Sequence, residues 1–108
     1  MKLWVDDVVP APAGYHWARS VNEAKRLILD AEELASKPRM FDCDFKYSLI
    51  DVDHNAGDMV SEGGHYIELL KWLEETGRSY PVHIHSDNQI NRVWMLEIIT
   101  RNGWKEIR

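Results

Sequence analysis

Four short apolar stretches, "KLWV", "YHWARS", "KYSLIDVD" and "PVHIHS", do most to limit the fold. Each has the length of a strand and is too short for a helix, and three of them precede a helical pattern. After the second, Ser20-Val21-Asn22-Glu23 has the spacing of a capping box, with Ser20 accepting from the Glu23 amide and Glu23 reaching back. Ala24, Leu27, Ile28, Ala31 and Leu34 follow at helical spacing, and the helix should stop before "SKPR", because proline removes a donor and clashes with the preceding turn. After the third stretch, "GDMVSEGG" reads as a loop into a helix with Tyr66, Leu69, Leu70 and Leu73 on one face and Gly77 as its stop. After the fourth, "NQINRVWMLEIITRN" reads as a helix carrying Ile90, Val93, Trp94, Glu97 and Ile98, with Gly103 just past its end. "WKEI" can add a terminal strand. This alternation predicts an α/β domain of doubly wound type: a mainly parallel sheet of four to five strands, covered on both faces, with three main helices.

At 108 residues the chain is expected to form a single domain over 1–108. With 13 Lys and Arg against 18 Asp and Glu the formal charge is −5, which argues against coating nucleic acid or an anionic membrane through the overall field. A lone cysteine, Cys43, cannot form an internal disulfide, and "MKLWVDD" offers no apolar stretch for a signal peptide or membrane span, so a cytoplasmic location without membrane contact is expected. Repeats and low-complexity tracts are not visible, and any disorder should fall on the last residues or near Pro38.

Ligands of open parallel sheets bind beyond the carboxyl ends of the strands. In this chain those ends are polar: Asp6-Asp7 closes the first strand, Asp53-His54 the third and His85-Ser86 the fourth. Three clustered carboxylates repel one another unless a cation neutralises them. Magnesium suits such a group, since it prefers oxygen ligands and completes its shell with water and substrate phosphate, so Asp6, Asp7 and Asp53 are the candidate metal ligands. Singly, Asp7 also suits the turn before Pro10 and Asp53 a loop cap.

His83 and His85 lie two apart and share a sheet face, a spacing that can bind zinc but more often serves packing. His85, nearer the strand end, is a candidate general acid or base with His54 as its rival, and a purely structural role stays open for both. The helix opened by "SDNQINR" presents unpaired amides that favour a phosphate, with Ser86, Asn88 and Arg92 as further phosphate-binding residues. Ser86 or Asp87 can equally cap that helix while Arg92 stays on the surface. Among the five tryptophans, Trp4, Trp72 and Trp94 fall in strand or helix patterns and read as core or near-core packing, whereas Trp17 can stack on a base or pack at the rim.

These segments resemble the cyclic-phosphate-processing receiver-like domains, a family related to response-regulator receivers of flavodoxin-like fold. Its motifs run roughly L-D-D-x-R-P-x-P, S-L-D-H-D-L-G and H-S-x-N-x-x-G-R-x-x-M. They match "LWVDDVVPAPAG", "DVDHNAG" and "HSDNQINRVWM". Position by position the resemblance marks Asp6 and Asp7; then Asp53, His54 and Gly57; then His85, Ser86, Asn88, Arg92 and Met95. Departures fall at Val9 for arginine, Asn55 for aspartate, Ala56 for leucine and Asn91 for glycine. The resemblance implies processing of a cyclic phosphate, on an RNA end or a cyclic nucleotide, in a prokaryotic or phage conflict system.

The expected function is thus a magnesium-dependent phosphoesterase-like hydrolase in which Asp6, Asp7 and Asp53 hold the metal and His54, His85 and Asp53 are catalytic. Ser86, Asn88 and Arg92 would bind the phosphate. The alternatives are a catalytically silent module that binds a nucleotide or a partner protein, and a receiver with Asp53 as phosphoacceptor. The residues do not fix an oligomeric state.

Overall fold

The computed structural model describes residues 1–37, 46–86 and 89–107, so Cys43 and Asn88 lie outside the described residues. Its strands are β1 (Lys2–Val5), β2 (Tyr15–Ala18), β3 (Leu49–Val52) and β4 (Val82–Ile84), and its helices α1 (Val21–Ser36), α2 (Ile67–Glu75) and α3 (Gln89–Asn102). All strand pairs are parallel and the order across the sheet is β2-β1-β3-β4. This is the parallel sheet with three helices that the alternation predicts, consistent with a flavodoxin or receiver-like fold. The C-terminal "WKEI" adds a single parallel bridge, Val82 to Glu106, rather than a full fifth strand.

Strand direction decides which face the helices cover. The connections from β2 to β3 and from β3 to β4 advance the same way across the sheet, so right-handed crossovers put α1 and α2 on one face. There α1 packs against α2 and α2 against α3. The face beneath is Leu3, Val5, Ile50, Val52, Val82 and Ile84, which join Ile28 of α1, Leu69 of α2 and Met95 of α3 in one buried core. The β1–β2 connection runs the opposite way and therefore belongs on the other face, yet residues 6–14 contain no helix. That second face is covered by loop: the Trp4 indole donates to the Val9 carbonyl and the Trp17 indole to the Asp6 carbonyl, each at 2.8 Å. Side by side across it stand Trp17, Trp4, Asp51 and His83.

Helix ends follow the sequence with one adjustment. Ser20 Oγ accepts from the Glu23 amide at 3.0 Å, as the capping box requires, but Glu23 reaches back to the Arg19 amide instead of that of Ser20. Helix α1 ends at Ser36, ahead of Pro38. Leu69, Leu70 and Leu73 bury the expected face of α2, and Tyr66 just before it donates its hydroxyl to the Arg19 carbonyl at 2.7 Å.

The buried face of α3 differs from expectation. Met95, Ile98 and Ile99 enter the core, whereas Ile90, Val93 and Trp94 are 70%, 59% and 59% exposed. Trp94 is therefore a surface residue and not core. Apolar residues stand on every side of this helix, so periodicity alone singles out no face and packing against α2 makes the choice. Trp72 packs against the edge of the core as expected, while Trp4 lies on the loop-covered face.

Candidate functional site

Neighbouring strands β1 and β3 send their chains away in opposite directions, and the crevice at their carboxyl ends is the switch point of the sheet. Backbone bonds carry the parallel ladder past the strand ends: the Asp53 amide donates to the Val5 carbonyl at 2.9 Å and the His85 amide to the Val52 carbonyl at 3.0 Å. Asp6 is tied to the other neighbour, its amide donating to the Ala18 carbonyl at 3.1 Å. Asp6, Asp53 and His85 thereby become adjacent, and one ligand atom from each lies within 4.8 Å of the others, the geometry of a metal-binding group.

His85 is held from both sides. Its Nδ1 donates to Asp51 Oδ1 at 2.6 Å and its Nε2 to Asp6 Oδ2 at 2.9 Å. Two carboxylate partners favour the protonated ring, in which both nitrogens donate. Burial alone would lower its pKa, but the hydrogen bonds from Asp51 and Asp6 and the charges of Asp51 and Asp53 outweigh it and raise the pKa above the usual histidine range. The Trp4 ring lies parallel to the imidazole with centroids 4.0 Å apart, an aromatic face that suits the protonated ring. His83 shares the anchor, its Nδ1 donating to the same Asp51 oxygen at 2.9 Å.

Asp6 and Asp51 are 2% and 5% exposed, and such burial requires the partners each has. Besides His85, Asp6 accepts from the Val8 and Val9 amides at 2.9 Å through Oδ1, fixing the loop after β1. Asp53 is partly exposed, and its Oδ1 accepts from the His54 amide at 2.8 Å.

Beside this group Ser86 Oγ is hydrogen-bonded to His54 Nδ1. The same nitrogen lies 3.3 Å from Asp53 Oδ1, so one edge of the ring meets both residues and His54 does not relay protons between them through its two nitrogens. The loop that carries His54 is braced by the Asn55 side chain, which accepts from the Gly57 amide at 2.8 Å, and by His65 Nδ1, which accepts from the Ala56 amide at 3.2 Å. Gly57 has φ +53°, and a Cβ there would run into the Asp7 carboxylate, so glycine serves this turn twice over.

Other expected site residues are placed as follows. Asp7 directs its carboxylate at Gly57 while its carbonyl accepts from the Arg19 guanidinium at 3.0 Å, and among the described residues the metal-type group takes His85 in its stead. Arg92 donates through Nη1 to the Ile84 carbonyl at 2.8 Å and keeps Nη2 3.7 Å from Glu106, tying α3 to the end of β4. The sequence alone gives Asp51 no particular role and reads Trp4 as core or near-core packing. A period-two signal was present for Asp51 with Asp53 and for His83 with His85, but the register that faces Asp51 with His83 is a property of the fold.

A receiver-like α/β domain with an acidic, histidine-containing group at its switch point is the class that fold and site define. A family model described as the cyclic-phosphate processing receiver domain matches residues 1–101, and the chain belongs to that family. No curated protein and no solved structure matches it. No helix among the described residues is long and apolar enough to cross a membrane.

Proposed function

We propose that the domain is a metal-dependent phosphoesterase that opens a cyclic phosphate on a nucleotide or an RNA end. The observation that carries this reading is the convergence of Asp6, Asp53 and His85 directly beside the Ser86–His54 pair.

The donor set fits a divalent cation. Histidines that ligate metals donate their second ring N–H to a carboxylate, and Asp51 takes the Nδ1 proton of His85, leaving Nε2 aimed at Asp6. The proton on Nε2 thus stands where a cation would. Two carboxylates suit Mg²⁺, and the imidazole widens the set to Mn²⁺. A bound divalent ion would supply positive charge against the phosphoryl oxygens.

In this reading Ser86 donates its hydroxyl to a phosphate oxygen. The remaining N–H groups of Arg92 would add donors from α3, and Asn88, outside the described residues, is a further candidate by its place in the sequence. Water attacks phosphorus, the bond from phosphorus to one ester oxygen breaks, and that oxygen takes a proton to become a hydroxyl. His54 is the group for this proton transfer, since both nitrogens of His85 are held by carboxylates. Asp53 orients His54 through its amide and also faces the cation.

The phosphoacceptor alternative lacks its lysine at the site. Lys105 lies beside Val82, at the start of β4, and its carbonyl accepts from the Val82 amide at 2.9 Å, at the opposite end of the sheet from Asp53. The silent-module alternative draws on one observation, that His85 is already satisfied within the chain.

Phosphorus NMR of the protein with Mg²⁺ and RNA ending in a 2′,3′-cyclic phosphate tests the proposal. A new phosphomonoester signal that Asp53→Asn fails to produce is the expected outcome. An equal rate in the folded variant would remove Asp53 from the chemistry, and absence of product from a panel of cyclic mono- and dinucleotides as well would leave the silent binding module.

A further inference from the structure

A cavity of about 300 Å³ opens next to the Ser86–His54 pair, between the loop after β3 and the exposed side of α3. Resting on the function proposed above, we propose that this cavity is a base-binding subsite, so that the ligand is a single nucleoside carrying the cyclic phosphate.

The lining determines what would enter. Met95 and Ile67 supply an apolar base to the cavity, and Trp94 supplies a flat aromatic side chain that is 59% exposed and contributes little to the core. Polar groups complete the wall: Asn55, Asn91, His54 and His65. His65 Nδ1 accepts from the Ala56 amide, so in the neutral ring the proton resides on Nε2 and makes that atom a donor. Lys and Arg are not among the lining residues, so nothing there calls for an anion. The wall thus joins an apolar and aromatic side to a set of side-chain donors and acceptors. A nucleobase matches both, with a neutral π face for Trp94 and an edge of donors and acceptors for the polar wall.

Position ties the cavity to the phosphate chemistry. His54 lines it and also touches Ser86, so the cavity adjoins the proposed phosphate-binding residues through one shared imidazole. A volume of about 300 Å³ lies at the lower end for small-molecule sites and suits one nucleoside rather than a cyclic dinucleotide. The stacking residue stands on the side of α3 that the core does not use, which gives the exposed Trp94 a purpose.

Calorimetric binding of nucleoside 2′,3′-cyclic phosphates, compared with methyl riboside 2′,3′-cyclic phosphate, tests this on the intact chain with Mg²⁺ present. The base should tighten binding roughly tenfold to a hundredfold, the range one base–aromatic stack gives. Trp94→Ala should remove that gap and Trp94→Phe should keep most of it, with melting curves confirming that both variants fold. A trinucleotide ending in the same cyclic phosphate separates the sources: tighter binding than the mononucleotide assigns an RNA end, weaker binding a free nucleotide, and both support the subsite. Equal binding of the base-free ligand, or a gap that survives Trp94→Ala, overturns the subsite and leaves the cyclic-phosphate reading intact. Failure of every cyclic phosphate to bind overturns both.

Discussion

Asp51→Asn is the most informative single change, because Asp51 holds the site without facing the proposed substrate. Asparagine keeps the shape and one acceptor oxygen, so the bonds from His83 and His85 can persist while the negative charge disappears. Hydrogen bonds to charged groups contribute about 1.5–3 kcal/mol and neutral ones about 0.5–1.5, so each bond weakens by roughly 1–1.5 kcal/mol. The His85 pair is well buried and takes that loss in full, whereas His83 is 30% exposed and its share is discounted. Relief of repulsion with Asp6 and Asp53 offsets part of it, giving a net loss of about 1–2 kcal/mol. Urea unfolding reads this as a fall in midpoint of roughly 1 M for a domain of this size.

The pH dependence gives the same prediction a sign. A histidine whose folded pKa is raised contributes stability that is fully present below its unfolded value and is lost as pH rises through the folded value. The wild-type advantage over the variant should therefore be largest in mildly acidic solution and shrink above the raised His85 pKa. His85 itself, followed by ring-proton NMR, should titrate lower in the variant. A midpoint equal to or above that of wild type at pH 6, with an unmoved His85 titration, would show that repulsion among the acids dominates and that the imidazolium does not organise the site.

Gly57→Ala should cost about 1–3 kcal/mol, since φ is +53° and the new methyl meets the Asp7 carboxylate; calorimetric melting unchanged within a degree would contradict the turn geometry. Met95→Ala should cost about 2–5 kcal/mol and Val93→Ala less than about 0.5, so comparable losses would mean that α3 presents another face to the core. Glu32 receives Arg78 and Tyr80; burial acts to raise its pKa, but those hydrogen bonds prevail and lower it. Its contribution is present above the ordinary carboxylate range and lost as pH falls through the lowered value, so Glu32→Gln should flatten the acid limb of the stability curve, and an unaltered limb would count against the ion pair.

What the sequence made legible was periodic or local. Parallel strands, the Ser20 cap, the α2 stripe and the polar strand ends all depend on residues a few positions apart, where spacing carries the physics. Asp6, Asp53, His85, Ser86 and His54 could be nominated because three strand ends of a parallel sheet must meet at one edge. The α3 face could not, because apolar residues surround that helix and only the α2 surface selects Met95 over Trp94. Nor could the pairing of Asp51 with both histidines, which needs the β3–β4 register. The exchange of Asp7 for His85 in the metal-type group has a similar cause: consecutive residues after β1 diverge, so Asp6 turns to His85 and Asp7 to Gly57. Loop cover of the second sheet face was legible in principle, since "VVPAPAG" leaves no room for a helix between β1 and β2.

Paramagnetic broadening by Mn²⁺, read in two-dimensional amide spectra at substoichiometric ion, tests the central claim most directly. The account predicts that the signals of Asp6, Asp53 and His85 broaden first and that Asp53→Asn abolishes the effect. Broadening spread over surface acids such as Glu33 and Glu74, with the strand ends untouched, would contradict it.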